Sequence, residues 1–223
     1  MQQFATPAPI ATVVGIPAGR IRFIAADRAD TTVEVLPANA ARSRDAKAAE
    51  ATTVSYADGV LRITAPEARN QMFGPSGAVE VTVQLPAGST VEAKAAAAEL
   101  RGVGRLGDVT FDSAQGPVKL DEAARVRLSL QDGDITVGRL HGSAELTTAR
   151  GDLRVNEATA GTLVLDTRSG SITVGAARGV GAALDAGTSY GRIHNSLRNA
   201  DGAGAGLTIR ATTAHGDITA HSL

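Results

Sequence analysis

The chain contains no cysteine, and only 3% of its 223 residues are aromatic. The absence of cysteine excludes disulfides, thiolate nucleophiles and zinc sites with cysteine ligands. The scarcity of aromatic rings argues against the stacking platforms that bind single-stranded nucleic acids and most sugars. Because 43% of the residues are apolar, the chain can still build a core, and that core must consist of Val, Ile, Leu and Ala.

The sequence also lacks an excess of charge of either sign and any long apolar run. Lys and Arg number 22 against 23 Asp and Glu, so the basic footprint of a nucleic-acid binder is missing. No run is long enough to span a bilayer, and residues 1–7 have neither the basic nor the apolar region of a signal peptide. We therefore expect a cytoplasmic protein without a membrane span. Export by a route that uses no N-terminal signal stays open.

What the sequence does contain is a repeated motif of five residues. Residues 133–137 read Gly-Asp-Ile-Thr-Val, and related motifs recur, each opening with a glycine. These opening glycines step by 17, 18, 19, 21 and 25 residues; they are Gly116, Gly133, Gly151, Gly170, Gly191 and Gly216. A second series of alternating triplets, such as Leu163/Leu165/Thr167, lies between them with a similar period. Two interleaved series of one period indicate two short strands per repeat.

Such a period is typical of a solenoid, in which each repeat forms one coil and stacked neighbours bury a joint core. The pattern therefore predicts an all-β fold. We expect a single elongated β-solenoid, β-helix-like, of stacked coils with about two strands per 17–25-residue repeat. Residues 100–223 hold the solenoid repeats. Residues 1–99 form an N-terminal β-strand region that continues or caps the stack.

The N-terminal region alternates between strand and turn signals. Residues 10–36 predict strands that are interrupted by a turn at residues 17–19 (Pro-Ala-Gly). Asp58 and Gly59 predict the turn of a hairpin between two alternating runs. Residues 93–98 are almost all alanine, a helical composition, but we assign them to a strand.

Three segments interrupt the strand pattern. Residues 39–51 are Ala-rich and charged, which fits either a short helix with Asn39 as its N-cap or a solvated loop. Residues 66–77 and 199–206 are rich in Gly or Pro and predict loops. Within the first loop, residues 72–73 (Met-Phe) are expected to pack onto an edge of the core. A localised function is expected where the repeat breaks, in these segments or at residues 192–195.

The ordered set of motifs resembles a known family. The Gly-Asp-Ile-x-Val motif, together with residues 144–151 (Ala-Glu-Leu-Thr-Thr-Ala-Arg-Gly), is similar to the repeat of the bacterial β-strand-repeat "putative adhesin" family of unknown function. Residues 189–197 and 212–218 resemble the actinobacterial branch of that family. Residues 28–37 and 79–88 extend the likeness to the N-terminal half. The resemblance implies a stacked β-solenoid and no established activity.

Four aspartates follow a motif glycine and should stack in neighbouring coils: Asp108, Asp134, Asp152 and Asp217. A ladder of carboxylates could bind Ca²⁺, which prefers clustered oxygen ligands. Pro117, Ser171 and Arg192 interrupt the ladder in other coils. Aspartate also favours turns by bonding to its own backbone, and this explanation is the one that we prefer.

Two further groups of polar residues have the composition of a possible site. An acidic group is predicted to lie on a solvated face and to be neutralised by Arg125, Arg127 and Arg150; its members are Asp121, Glu122, Asp132 and Asp134. The four histidines are expected to be scattered over the surface, because a zinc site needs three or four convergent ligands; they are His141, His194, His215 and His221. We therefore predict no catalytic, cofactor-binding or metal-binding residues and no cofactor.

The sequence favours a non-enzymatic structural or interaction protein, adhesin-like or scaffold-like. No nucleophile elbow or phosphate-binding loop is present, and Ser76 and Ser169 precede turn glycines. Self-association or a protein partner is expected, because end coils carry unpaired strand edges. Two alternatives stay open. One is a carbohydrate-binding or polysaccharide-active solenoid that uses Asp134 and Asp152, and the other is a calcium-dependent adhesin.

Overall fold

The structure is a computed structural model that describes residues 1–66, 77–198 and 206–223. These residues contain one short helix and 17 strands, which confirms the all-β prediction. By contacts, the chain forms two compact units, Met1–Gly116 and Pro117–Leu223. No helix in the described ranges is long and apolar enough to cross a membrane.

The first unit contains strands β1 to β7 and the helix. The strands are β1 (Gln2–Ala5), β2 (Ala11–Ala26), β3 (Asp30–Pro37), β4 (Thr53–Ala57), β5 (Val60–Thr64), β6 (Val79–Pro86) and β7 (Thr90–Gln115), and α1 spans Ser43–Ala51. Strand β2 lies at the centre of this unit. It pairs in parallel with β7 on one edge and with β5 and then β6 on the other.

Antiparallel strands complete the first unit. Strand β4 pairs with β5, β3 pairs with β6, and β1 pairs with β3. The β4–β5 hairpin turns at Asp58 and Gly59, whose φ angles of 51° and 75° confirm the predicted turn. Helix α1 follows β3, and its buried Asp45 accepts a 3.0 Å hydrogen bond from the backbone N–H of Ala78.

The structure confirms some of the local predictions for this unit and contradicts others. Residues 93–98 lie in β7, so the strand assignment was right. The predicted turn at residues 17–19 was wrong, because these residues continue β2 and only Gly19 takes a positive φ, of 129°. Residues 39–51 do contain a helix, but Asn39 is not its N-cap. Arg42 takes that position without a side-chain bond, while the Asn39 side chain accepts from the N–H of Ala41.

The second unit contains ten strands: β8 (Val118–Asp132), β9 (Ile135–Leu140), β10 (Ala144–Arg150), β11 (Leu153–Ala158), β12 (Gly161–Ser169), β13 (Ile172–Ala176), β14 (Ala182–Tyr190), β15 (Ile193–Ser196), β16 (Leu207–His215) and β17 (Ile218–Ser222). All of their pairings are parallel and nearly in register. They form two stacks, each contributing one strand per repeat, as the two interleaved sequence series predict. The β-solenoid prediction is thus confirmed.

The strands of the second unit do not stack in chain order. One stack runs from the start of β8 through β9, β11, β13 and β17 to β15. The other runs from the end of β8 through β10, β12 and β16 to β14. The last two strands of the chain are therefore inserted beneath the two that precede them. We call β14 and β15 the terminal rung and β16 and β17 the inserted rung.

The core follows the alternation of each strand. At the first apolar position of the motif, Ile135, Leu153, Ile172 and Ile218 are at most 1% exposed. Each such buried side chain contributes about 1.5–3 kcal/mol. The predicted loops at 66–77 and 199–206, with Met72 and Phe73, fall almost entirely outside the described residues.

Candidate functional site

The glycine that opens each motif forms the corner of a coil. Its N–H donates to a carbonyl of the next rung, as in the 2.8 Å bond from Gly133 to Arg150 and the 2.9 Å bond from Gly151 to Ser169. Gly151 has a φ of 140°, and a Cβ added to it would overlap the carbonyl oxygen of Gly133. Gly170 and Gly216 repeat both features. Glycine is required here because backbones approach closely and φ is positive.

The aspartates of the motif connect one coil to the next. Asp134 Oδ1 accepts a 2.8 Å hydrogen bond from the N–H of Asp152, and Asp152 Oδ1 accepts a 2.7 Å bond from the N–H of Ser171. In the last rungs, Asp217 Oδ1 accepts from the N–H of Arg192 at 2.8 Å. For these three aspartates, the expectation that each bonds to its own turn was wrong, because the donor belongs to the neighbouring coil.

A calcium site on this ladder finds no support in the geometry. One oxygen of each of these three carboxylates already accepts a backbone N–H. Within the described ranges, no group of three or more His, Asp or Glu side chains could hold a metal ion. The remaining member, Asp108, lies in β7 of the first unit.

Threonines make a second ladder that the sequence reasoning missed. Thr148, Thr167 and Thr213 are each 2% exposed, and Thr148 and Thr167 occupy the third position of the alternating triplets. Their Oγ1 atoms donate to the carbonyls of Gly133, Gly151 and Gly170, at 3.0–3.3 Å. Such bonds satisfy carbonyls at the corner that would otherwise lack a partner. The signal in the sequence is a threonine three residues before the motif glycine.

One member of the predicted acidic group, Asp132, forms the expected kind of ion pair, with Arg150 at 2.8 Å. Arg127 pairs at 2.9 Å with Glu145, which is not a member of that group. Glu122 bonds to His141 at 2.6 Å instead. These contacts join adjacent strands along a solvated face, as expected. Arg139 donates similar hydrogen bonds to Glu157, and this contact raises the pKa of Arg139.

In the described part of the chain, no three histidines come together as a metal site, and one histidine stacks on a tyrosine. His215 of the inserted rung stacks on Tyr190 of the terminal rung, with ring centroids 5.0 Å apart and planes 12° from parallel. His194 lies beside Thr219, and His221 beside Gly175 and Ser196. The stack leaves the Tyr190 ring 72% exposed.

In the terminal rung, side chains that are buried in the other rungs are exposed to solvent or only half-buried. Ile193 occupies the first apolar position of the motif, yet it is 46% exposed. Leu184, Ala186 and Thr188 are half-buried where β12 and β16 bury the equivalent residues. Among the described residues, β14 and β15 pair along one edge only, and no carbonyl accepts from the N–H of Ile193. The terminal rung is therefore an exposed edge with an apolar end.

A groove of about 340 Å³ lies on the outer face of the second unit, across β12, β16 and β14. Its lining includes Asp166, Asp185, Arg210 and Thr212, with Val164 and Gly187 beside them. In the strand register, Arg210 lies between Val164 and Asp185, and Thr212 lies between Asp166 and Gly187. This arrangement depends on the inserted rung, so it could not be derived from chain order.

Comparisons with known proteins point to one family. Residues 18–221 match the family described as Toastrack DUF4097. Among solved structures, the chain is similar to a "putative adhesin" from Bacteroides fragilis, with 15% identity over 98% of this chain and 95% of that one, at a TM-score of 0.48.

Two other solved structures are similar at lower scores. A "putative cell adhesion protein" from Clostridium sporogenes has 11% identity over 100% and 98% of the two chains, with a TM-score of 0.41. A "putative lipid binding protein" from Parabacteroides distasonis has 11% identity over 98% and 95%, with a TM-score of 0.38. A search of the curated proteins finds no match. The actinobacterial likeness stays a prediction. The match over residues 18–221 covers almost the whole chain, and the chain therefore belongs to the Toastrack DUF4097 family.

Proposed function

We propose that this chain is a non-enzymatic interaction protein that associates with a second copy of itself through the terminal rung. The observation that carries the proposal is the exposure of Ile193, at 46%, where the five equivalent residues in the stack are at most 1% exposed. Exposed strand edges with apolar side chains are templates for pairing with another chain. Burial of Ile193 and of the half-buried Leu184 would favour association through the hydrophobic effect.

The backbone of β14 indicates how a second copy would pair. The carbonyl of Gly181 accepts from the N–H of Leu207, so it points toward the inserted rung. Peptide groups alternate in direction along a strand, so those of Leu184, Ala186 and Thr188 point toward the open edge. Another strand can therefore bond to these residues without disturbing the bonds between β14 and β16.

The charges of β14 select one register of self-pairing. An antiparallel pair centred on Ala186 aligns the full length of Ala182–Tyr190 with itself. The only charged residue, Asp185, then faces Gly187 of the second copy. A pair centred on Asp185 would place two carboxylates opposite each other, which is destabilising. Natural edges are usually protected by lysine, proline or bulges, and β14 contains neither lysine nor proline.

Size-exclusion chromatography with light scattering over a wide concentration range tests this proposal. We expect a dimer that dissociates on dilution. Ile193→Lys and Ala186→Pro should each shift the equilibrium to monomer, because the first charges the apolar end and the second removes an N–H that faces the open edge. Leu36→Lys is the matched control, since Leu36 is 48% exposed and lies in β3.

A wild-type chain that stays monomeric at every concentration would overturn the proposal. A dimer that all three variants retain equally would also overturn it, because another surface would then hold the two copies together. Unfolding midpoints of the variants, measured in parallel, separate a loss of pairing from a loss of folding.

A further inference from the structure

The outer groove lies within the second unit and brings together charged and polar groups from three neighbouring strands. Two carboxylates, of Asp166 and Asp185, flank the guanidinium of Arg210 and the hydroxyl of Thr212. The strands that carry them are β12, β16 and β14, so the inserted rung creates the site. At about 340 Å³, the groove has the size of a small-ligand site.

The charged groups of this groove are not used by the fold. At two other places in the second unit, opposite charges that face each other on paired strands form short ion pairs, Arg127–Glu145 at 2.9 Å and Arg139–Glu157 at 2.8 Å. Arg210 and Asp185 face each other in the same way. In the described part of the chain, however, neither they nor Asp166 forms an ion pair or a side-chain hydrogen bond. Their donors and acceptors are therefore available to a ligand.

The floor of the groove is open because its residues are small. Gly187 has an ordinary φ, and a Cβ added to it would meet no atom within 4 Å. Val164 is 40% exposed and gives the lining one apolar surface. A ligand can therefore lie flat across the three strands, with an apolar contact at one point and polar groups around it.

We infer that this groove binds a neutral saccharide through hydrogen bonds, and not through the ring stacking that the scarcity of aromatic residues disfavours. Sugar hydroxyls donate and accept at once, so one ring can donate to Asp166 and Asp185 while it accepts from Arg210. Hydrogen bonds to charged partners are the stronger ones, which compensates for the shallow site. An anion would be repelled by two carboxylates and attracted by only one guanidinium. A metal cation would be repelled by the guanidinium of Arg210, which lies on the strand between those of the two carboxylates. The site is distinct from Asp134 and Asp152, which bond to the backbone.

Isothermal titration calorimetry with four neutral probes tests the inference: maltohexaose, cellohexaose, chitohexaose and mannohexaose. We expect at least one probe to bind. Asp185→Asn, which removes the charge of the acceptor, and Arg210→Leu, which removes the donors, should each weaken that binding by about tenfold or more. Gly187→Val should abolish the binding by filling the floor. Glu145→Gln is the control and should leave saccharide binding unchanged. Glu145 also points outward from its strand, but it is already ion-paired with Arg127.

The titrations are run in the wild-type chain and again in Ile193→Lys, so that self-association and saccharide binding are measured independently. Heparin, a polyanion, is expected to bind more weakly than the best neutral probe. If none of the four probes binds, or if Asp185→Asn, Arg210→Leu and Gly187→Val all leave binding unchanged, the inference is wrong. Circular dichroism of the three variants checks that each remains folded.

Discussion

Asp217 Oδ1 accepts a hydrogen bond of 2.8 Å from the backbone N–H of Arg192, a residue 25 positions earlier in the chain. In the preceding coils the direction is the opposite, because Asp134 and Asp152 accept from residues that follow them. The direction is reversed because β17 of the inserted rung lies between β13 and β15. Arg192 needs no such acceptor group, because no described strand lies beyond it.

Replacement of Asp152 tests whether the aspartate ladder stabilises the stack. Asp152→Ala removes the acceptor of the Ser171 N–H and should lower the free energy of unfolding by about 1 kcal/mol. Asp152→Asn keeps an oxygen acceptor and should lose less. Urea unfolding followed by circular dichroism measures both. Asp166 is exposed and has no side-chain partner among the residues that the structure describes, so Asp166→Ala should change stability by less than about 0.5 kcal/mol.

Replacement of a corner glycine should be far more damaging. Gly151→Ala would force a side chain into the carbonyl of Gly133 at a φ of 140°. We expect a loss of at least about 3 kcal/mol, as for a strained backbone combined with a steric clash. Gly187→Ala is the matched control, because an added Cβ there has free space. Equal unfolding midpoints for the two variants would show that the corners do not need glycine.

The pH dependence of stability should have a contribution from Asp30. Its hydrogen bonds to Arg28, at 2.8 and 2.9 Å, hold the pKa of the carboxyl below its usual value. A lowered folded-state pKa contributes stability that is complete above the unfolded pKa, about 3.9, and is lost as the pH falls through the folded value.

Urea unfolding of wild type and Asp30→Asn at neutral and at acid pH checks this dependence. The difference between the two proteins should be largest at neutral pH and should shrink below the unfolded pKa. A difference that stays constant across this range would show that the Arg28 contact is not linked to protonation. Glu34→Gln, an exposed carboxylate on the same strand, provides the control for a general charge effect.

Much of the fold could be predicted from the sequence, because the repeat reports local geometry. Glycine at a position such as 151 specifies a corner, and the alternation in Leu163–Leu165–Thr167 specifies a strand. Both hold no matter which coil lies next to them. The order of the coils could not be predicted in this way. Each rung presents similar apolar side chains, so the period does not say which rung lies above which. The order of the last two rungs is recorded in the motif, which has Asp217 in one rung and Arg192 in the other. This difference can be interpreted only when it is known that the aspartate accepts from the next rung.

The candidate sites were harder to predict for the same reason. Ile193 matches the buried residues of the motif, and only its place at the end of the stack exposes it. Asp166 and Asp185 are separated by one repeat in the chain, while Arg210 reaches them only through the inserted rung. Asn39 shows the opposite case, in which a strong local signal was overridden because its side chain bonds two residues ahead, before the helix begins.

Engineered disulfides test the inserted rung most directly, since the chain has no cysteine of its own. Thr162 and Thr208 face each other on β12 and β16, and Ala183 faces Thr208 on β14. Neighbouring strands lie about 4.8 Å apart, within disulfide reach, whereas strands two places apart lie beyond it. Oxidation of Thr162→Cys/Thr208→Cys should give a cross-link in the native protein, and Thr162→Cys/Ala183→Cys should not. The reverse result would mean that the coils stack in chain order and that the terminal rung is wrongly assigned.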